Sequence, residues 1–317
     1  MGKLIFSLAI IVGALVVGQI LYGAVKGEKA RAKTDAVMTT IRNIIVYSVT
    51  PVILLGAFWV VDIGNASLIT VPFICIFALG IGSSLSLLFS KIAKHNRLQT
   101  GAMFCCGGSS NLGSIGGLLT FAFLGETGYA FCVLYIVLSA PFLYTVVFPV
   151  ASSFSESHIK THPLKRILKD KLIMMFFATM LVGFILNLVG VPRPAFYSKL
   201  NEYLIPISSF FLVAALGYTM RFGLIRSYPK EIVFISIVKY IITPLFVIGT
   251  ALLLGLNTYG DGTLFKALVI MSALPVGFNA LIPINMYGLD KNLGNSNWIV
   301  TTVSLVVVVP VVYIILF

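Results

Sequence analysis

Between Thr100 and Gly125 the chain is apolar enough and long enough to cross a bilayer, yet its middle reads Gly107-Gly108-Ser109-Ser110-Asn111-Leu112-Gly113-Ser114-Ile115-Gly116-Gly117. Five glycines, three serines and an asparagine make a poor unbroken helix, because each interior glycine costs about 0.5–1 kcal/mol relative to alanine. In hydrocarbon the backbone groups freed by a break must find partners in protein, water or ligand. An interruption therefore persists only where it lines a cavity or is buried against other helices. A second stretch, Leu264 to Gly288, has the same character, with Pro275 and Pro283 bracketing Gly277 and Asn279. Paired interruptions at matching places in two halves of a chain mark the ligand site of repeat-built membrane carriers.

The rest of the sequence is consistent with a membrane setting. Of its 317 residues, 59% are hydrophobic and 10% charged, with a mean hydropathy of +1.04; soluble domains carry about 25% charged residues. With about 20 apolar residues taken as one span, ten candidates emerge. The first five are Leu4–Val25, Val37–Val61, Leu68–Ser90, the interrupted Thr100–Leu124 and Tyr129–Ser152. The second five are Lys171–Val189, Leu200–Met220, Glu231–Leu254, the interrupted Leu264–Tyr287 and Asn297–Phe317. Leu4–Val25 is long enough to span and lacks a convincing cleavage site, so it reads as a helix and not as a signal peptide. Cys75, Cys105, Cys106 and Cys132 lie inside apolar runs without metal-ligand spacing and read as small packing residues.

Loop charge sets the expected orientation. One face would carry Lys26, Lys29, Arg31 and Lys33; Lys91, Lys94 and Arg97; Lys160, Lys165, Arg166, Lys169 and Lys171; Arg221, Arg226 and Lys230; and Lys291. That is sixteen basic residues, against four (Lys3, Arg193, Lys199, Lys266) on the other. The net charge of +12 thus describes loops on one side of a membrane, and no nucleic-acid partner is expected. Both termini fall outside, with the plasma membrane as the expected location. An odd number of spans per half inverts the second half relative to the first. The predicted fold is an all-α integral membrane protein of ten transmembrane helices. They form two inverted five-helix repeats, residues 1–152 and 171–317, joined by a cytoplasmic linker at 153–170. A proline in the second span of each half (Pro51, Pro206) and an interruption with asparagine in the fourth (Asn111, Asn279) match across the repeats.

Lys239 stands about ten residues into its span, roughly 15 Å deep at 1.5 Å per residue. All ten acidic residues fall in loops or at span ends, leaving that ammonium without an obvious carboxylate. A charge at such depth marks a functional site, and Pro244, five residues on, would free the Tyr240 carbonyl as a local acceptor. Arg42 lies close enough to the surface to snorkel. His158 and His162 have the spacing of a metal pair but sit in a polar loop with no third ligand, and His95 lies in a basic loop. The predicted ligand-contacting set is Ser110, Asn111, Gly113, Pro275, Asn279 and Lys239. Neither a catalytic constellation nor a metal site nor a cofactor is expected.

These motifs resemble the auxin efflux carrier family, which includes bacterial carriers of malate-like and malonate-like anions and shares its fold with the bile acid:sodium symporters. The run Asn111-Leu112-Gly113-Ser114-Ile115-Gly116, continuing to Gly125-Glu126, is similar to that family's Asn-x-Gly-x-x-Gly run and Gly-Glu turn. Gly117 and Leu118 stand where the family carries a proline. Leu186-Asn187-Leu188-Val189-Gly190-Val191-Pro192, Pro244, Pro275 to Tyr287 and Thr301-x-x-Ser304 follow in the family's order. The resemblance implies a scaffold of spans one, two, six and seven that often dimerises. It also implies a mobile transport part of spans three to five and eight to ten, in which the broken helices cross at the substrate.

The function expected is secondary active transport of a small organic anion, auxin-like or a mono- or dicarboxylate, by alternating access. Alternatives are a sodium-coupled, bile-acid-like anion symporter and a ligand-binding membrane sensor or channel. Hydroxyls and amides without a buried carboxylate argue against an obligatory Na⁺ site, and the sequence leaves H⁺ or Na⁺ coupling open.

Overall fold

In a computed structural model the chain is described over residues 1–60, 66–155 and 171–317. Most of the linker, with His158 and His162, lies outside the described residues. Among those described there is no strand, and the α-helices in the first half are α1 (Gly2–Ala24), α2 (Glu28–Ile44), α3 (Thr50–Val60), α4 (Thr70–Ile92), α5 (Arg97–Gly107), α6 (Gly117–Ile136), α7 (Ser139–Phe142) and α8 (Phe148–Ser153). Those in the second are α9 (Lys171–Leu188), α10 (Phe196–Thr219), α11 (Pro229–Ile237), α12 (Thr243–Leu253), α13 (Thr263–Ser272), α14 (Leu281–Met286), α15 (Lys291–Val303) and α16 (Leu305–Leu316).

The ten apolar runs fall on these helices, but not one to one. Among the described residues six helical stretches are individually long and apolar enough to cross a membrane, and α15 with α16, bent by 46°, makes a seventh. The chain is thus a multi-pass membrane protein. The remaining runs are shorter: the apolar part of α9 covers Met174–Leu188, and the fourth and ninth runs are each divided. From Leu112 to Ser153 the helix is continuous enough to join the second half of the fourth run to the fifth. The turn expected at Gly125-Glu126 is instead a kink inside α6, where Gly125 takes φ 73°, ψ −159°. Glycine alone adopts that backbone readily.

Four wide, π-helical turns occur among the described residues, one at Leu112–Gly116 and three that interrupt helices at Ile45–Val49, Leu143–Val147 and Val238–Ile242. Each of the last three is followed, two residues on, by a proline: Pro51, Pro149 and Pro244. A proline ring clashes with the carbonyl four residues back and offers it no N–H. Widening the preceding turn relieves that clash while the helix continues.

The chain packs as two compact units. Unit 1 comprises Met1–Gly64, Gly113–Val133 and Asp170–Met220. Its centre is the α1–α10 pair, where Ser7, Ile11, Ala14 and Gly18 form a buried stripe on α1. A Cβ on Gly217 would meet the Leu15 backbone at 2.5 Å. With lipid as apolar as a leucine side chain, such close backbone approach is what holds membrane helices together. Gln19 donates to the Gly217 and Met220 carbonyls at the end of α10. The α9 ending closes as a Schellman turn, with Val191 N–H on the Leu186 carbonyl and Gly190 at φ 74°.

Unit 2 comprises Asn65–Leu112, Leu134–Lys169 and Arg221–Phe317. Here α4 and α5 lie so close that a Cβ on Gly82 would strike the Gly107 carbonyl. At one end Asn96 and Gln99 form a reciprocal capping box for α5. Nearby, His95 Nε2 sits 2.9 Å from Glu231 Oε1. Asp290 caps α15 through the Leu293 N–H and accepts from the Tyr228 hydroxyl. All four cysteines are buried, and none is in a disulfide.

Candidate functional site

The site lies within unit 2, where the two interruptions meet. Helix α5 stops at Gly107, and α13 stops at Ser272. The segments that follow run past one another as a single antiparallel bridge between Ser110 and Val276. Asn111 donates its N–H to the Pro275 carbonyl at 2.9 Å, and Gly277 donates to the Ser109 carbonyl at 3.3 Å. Each break thus satisfies some of the backbone groups the other frees, as a water-poor environment demands. Gly277 is required by space alone: its φ of −74° is ordinary, but a Cβ there would come within 2.6 Å of the Ser110 carbonyl oxygen and 2.7 Å of Ser109 Oγ.

Lys239 reaches this bridge from the wide turn Val238–Ile242. Its ammonium donates to the Gly107 carbonyl at 2.8 Å and to Ser110 Oγ at 3.0 Å, and the side chain is 1% exposed. Gly107 ends α5, so its carbonyl belongs to the last turn, where the helix dipole favours a cation. Neither ion pair among the described residues involves Lys239. An ammonium has three donors, two of which are used here by neutral oxygens. The acceptor expected from the sequence, the Tyr240 carbonyl, is not the partner found. Lys239 sits within the wide turn and finds its partners on α5 and in the first interruption, more than a hundred residues earlier in sequence.

Tyr240, next in the same turn, points its hydroxyl to the Thr301 carbonyl of α15, and Ser304 Oγ lies 3.1 Å from that hydroxyl. Thr301 Oγ1 accepts the Val276 N–H at 3.2 Å and donates to the Asn297 carbonyl. Helix α15 therefore supports the second interruption through a buried hydroxyl. Thr301→Val should leave the Val276 N–H without an acceptor, a loss of about 1–3 kcal/mol, whereas Thr301→Ser should not. Thermal unfolding of the two purified variants would show the difference.

Of the six residues singled out from the sequence, the structure brings Ser110, Asn111, Pro275 and Lys239 together. Asn111 is 8% exposed. Asn279 lies on the exposed side of the short Phe278–Ala280 turn just beyond the bridge, and its side chain makes no hydrogen bond among the described residues. Gly113 is likewise exposed, on the wide turn Leu112–Gly116, and a Cβ there would meet nothing within 4 Å. Thr301 and Tyr240 were not expected at the site. The Thr301-x-x-Ser304 spacing was visible in the sequence, but without a reason to place it against the second break.

Comparison with known proteins points to transport. A family model described as membrane transport protein matches residues 4–313. An uncharacterized transporter of Methanothermobacter thermautotrophicus (strain Delta H) is 21% identical over 273 residues, spanning 86% of this chain and 87% of that protein.

Proposed function

The chain belongs to the membrane transport protein family, and from that premise we propose that it is a secondary carrier moving a small organic anion by alternating access. It is a transporter and not an enzyme. The observation that carries the anion is Lys239. Burying an ammonium costs about 2.5–3.5 kcal/mol even on insertion scales, and two neutral oxygens offset only part of that. A carboxylate at the remaining donor would complete the pairing where charge-assisted bonds are strongest. Asn111, beside the bridge, and Asn279 and Gly113, on exposed turns that flank it, are the further contacts of this reading. The same ammonium occupies the α5 end where a cation would otherwise sit, which supports transport without obligatory Na⁺.

The layout that accompanies this reading is ten spans in two inverted repeats, both termini outside the plasma membrane, with dimerisation through spans one, two, six and seven. Two features support it: the interruptions fall in the fourth span of each half, and α1–α3, α9 and α10 pack in one unit while α4, α5 and α11–α16 pack in the other; the second half of the fourth span, Gly113–Val133, departs from that division and packs with α1–α3, α9 and α10. The test is the thermal stability of the purified protein against a panel of mono- and dicarboxylates, with organic amines as controls, in Na⁺ and in choline buffers. At least one carboxylate should stabilise, by about 2.7 kcal/mol at a hundred times its Kd, equally in both buffers. Stabilisation by amines alone would overturn the anion, and stabilisation only in Na⁺ would favour a sodium-coupled symporter.

A further inference from the structure

Charge balance at the bridge narrows what the site can hold. Among the described residues, Lys239 is the only lysine, arginine, aspartate or glutamate that is buried. The elements of unit 2 around it add no formal charge at that depth. Helix α12 has no charged residue, and α4 has only Lys91, in its last turn. On α11 the charged residues are Lys230 and Glu231, both in the first turn, where Glu231 pairs with His95. Arg97 stands at the far end of α5 from Gly107 and donates to the Ser153 carbonyl. Lys266 of α13 lies over the Phe317 ring, and Lys291 of α15 is exposed. The titratable groups that do interact with Lys239 are the thiols of Cys75 on α4 and Cys106 on α5. A thiol in its ordinary form is neutral at neutral pH.

The formal charge of the described groups at the bridge is therefore a single positive one, and the last-turn carbonyl of α5 that Lys239 caps reduces its field further. A bound monoanion brings the sum to zero. A dianion would leave one carboxylate without a counter-charge in water-poor surroundings, and an unpaired buried charge is the costly case. A protonated carboxyl is different, because its O–H is a donor that neutral oxygens can satisfy. The bridge offers such oxygens in the buried Ser109 hydroxyl and in Ser110. We propose that this is a single-charge site. On the anion reading above, on which this rests, the carried species bears one net negative charge, and a dicarboxylate is taken only in its half-protonated form. The proton then travels on the ligand, and no buried carboxylate of the protein is required to carry it.

Matched probes test this separately from the anion reading. Succinate and its monoamide, succinamate, have nearly the same shape, but only succinate gains a second charge as the pH rises. Malonate and malonamate make a second pair. Thermal unfolding of the full-length protein in lipid nanodiscs, followed against probe concentration, gives each apparent Kd. The series runs from about pH 6 to about pH 8, above the ordinary carboxylate range. For a pair that binds, the ratio of diacid Kd to monoamide Kd should rise about tenfold per pH unit, because one proton enters with the diacid. Taking the ratio cancels any titration of the protein, which affects both members alike. A flat ratio would overturn the single-charge site and leave the anion reading standing. So would a diacid that binds with unchanging affinity across the series while its monoamide does not bind. If neither pair binds, the same series on whichever carboxylate stabilises the protein decides: a monocarboxylate, or a dicarboxylate losing about tenfold in affinity per pH unit, supports the site, and a dicarboxylate of constant affinity rejects it. Stabilisation by no carboxylate at all sinks the anion reading itself, and this inference with it.

Discussion

Lys239→Met should abolish carboxylate-induced stabilisation while leaving a folded protein. Methionine keeps the length of the side chain and removes its charge. A hydrogen bond to a charged group contributes about 1.5–3 kcal/mol, so affinity should fall by roughly 10- to 100-fold. The effect on the empty protein has two opposing parts. The cost of burying a charge disappears, and replacing buried charge by apolar volume is often neutral or stabilising. Against that, the Gly107 carbonyl and Ser110 hydroxyl lose their donor, at about 1–3 kcal/mol for each group left without a partner. The two nearly offset, so the unfolding temperature should move much less than the ligand response. If Lys239 were only a plug for the end of α5, the opposite would be measured: a large drop in unfolding temperature with carboxylate affinity intact. Lys239→Arg retains the charge, but its planar fork does not reproduce an ammonium that divides its donors between a carbonyl and a hydroxyl. An intermediate affinity is expected.

How much of this was legible in the sequence depended on the range of the interaction involved. The interruptions were readable because their cause is local: Gly107-Gly108 and Pro275 are poor helix residues wherever they occur. The depth of Lys239 followed from counting along one run. Its partners did not, because Gly107 and Ser110 lie 132 and 129 residues away, and no local rule ties the Val238–Ile242 turn to the end of α5. The same limit applies to Thr301, whose hydroxyl serves a backbone N–H 25 residues earlier. The prolines were recognised without their consequence. Pro244 was read as freeing one carbonyl, whereas the backbone answered by widening the turn that holds both Lys239 and Tyr240. Asn279 shows the converse, since a residue type suited to a break can lie just past it and face outward.

Gly277→Ala should pry the two interruptions apart. The atom that an added methyl would meet at 2.6 Å is the Ser110 carbonyl oxygen, part of a bridge and unable to rotate away as a side chain would. Overpacking of this kind costs about 1–3 kcal/mol. Relief requires the segments to separate, which weakens the Asn111–Pro275 and Gly277–Ser109 hydrogen bonds at about 0.5–1.5 kcal/mol apiece. Separation would also carry Ser110 Oγ away from the Lys239 ammonium, so the ligand response should be lost together with stability. The combined loss of about 2–6 kcal/mol corresponds to a fall in unfolding temperature of roughly 3–9 °C for a chain of this size. Gly113→Ala is the matched control, since a Cβ there meets nothing within 4 Å. It should leave the unfolding temperature within about a degree of the parent, as surface substitutions away from special features do. Equal unfolding temperatures for the two variants would mean that the close approach at Gly277 does not hold the interruptions together. The positions of Lys239 and Asn111 would then need another cause.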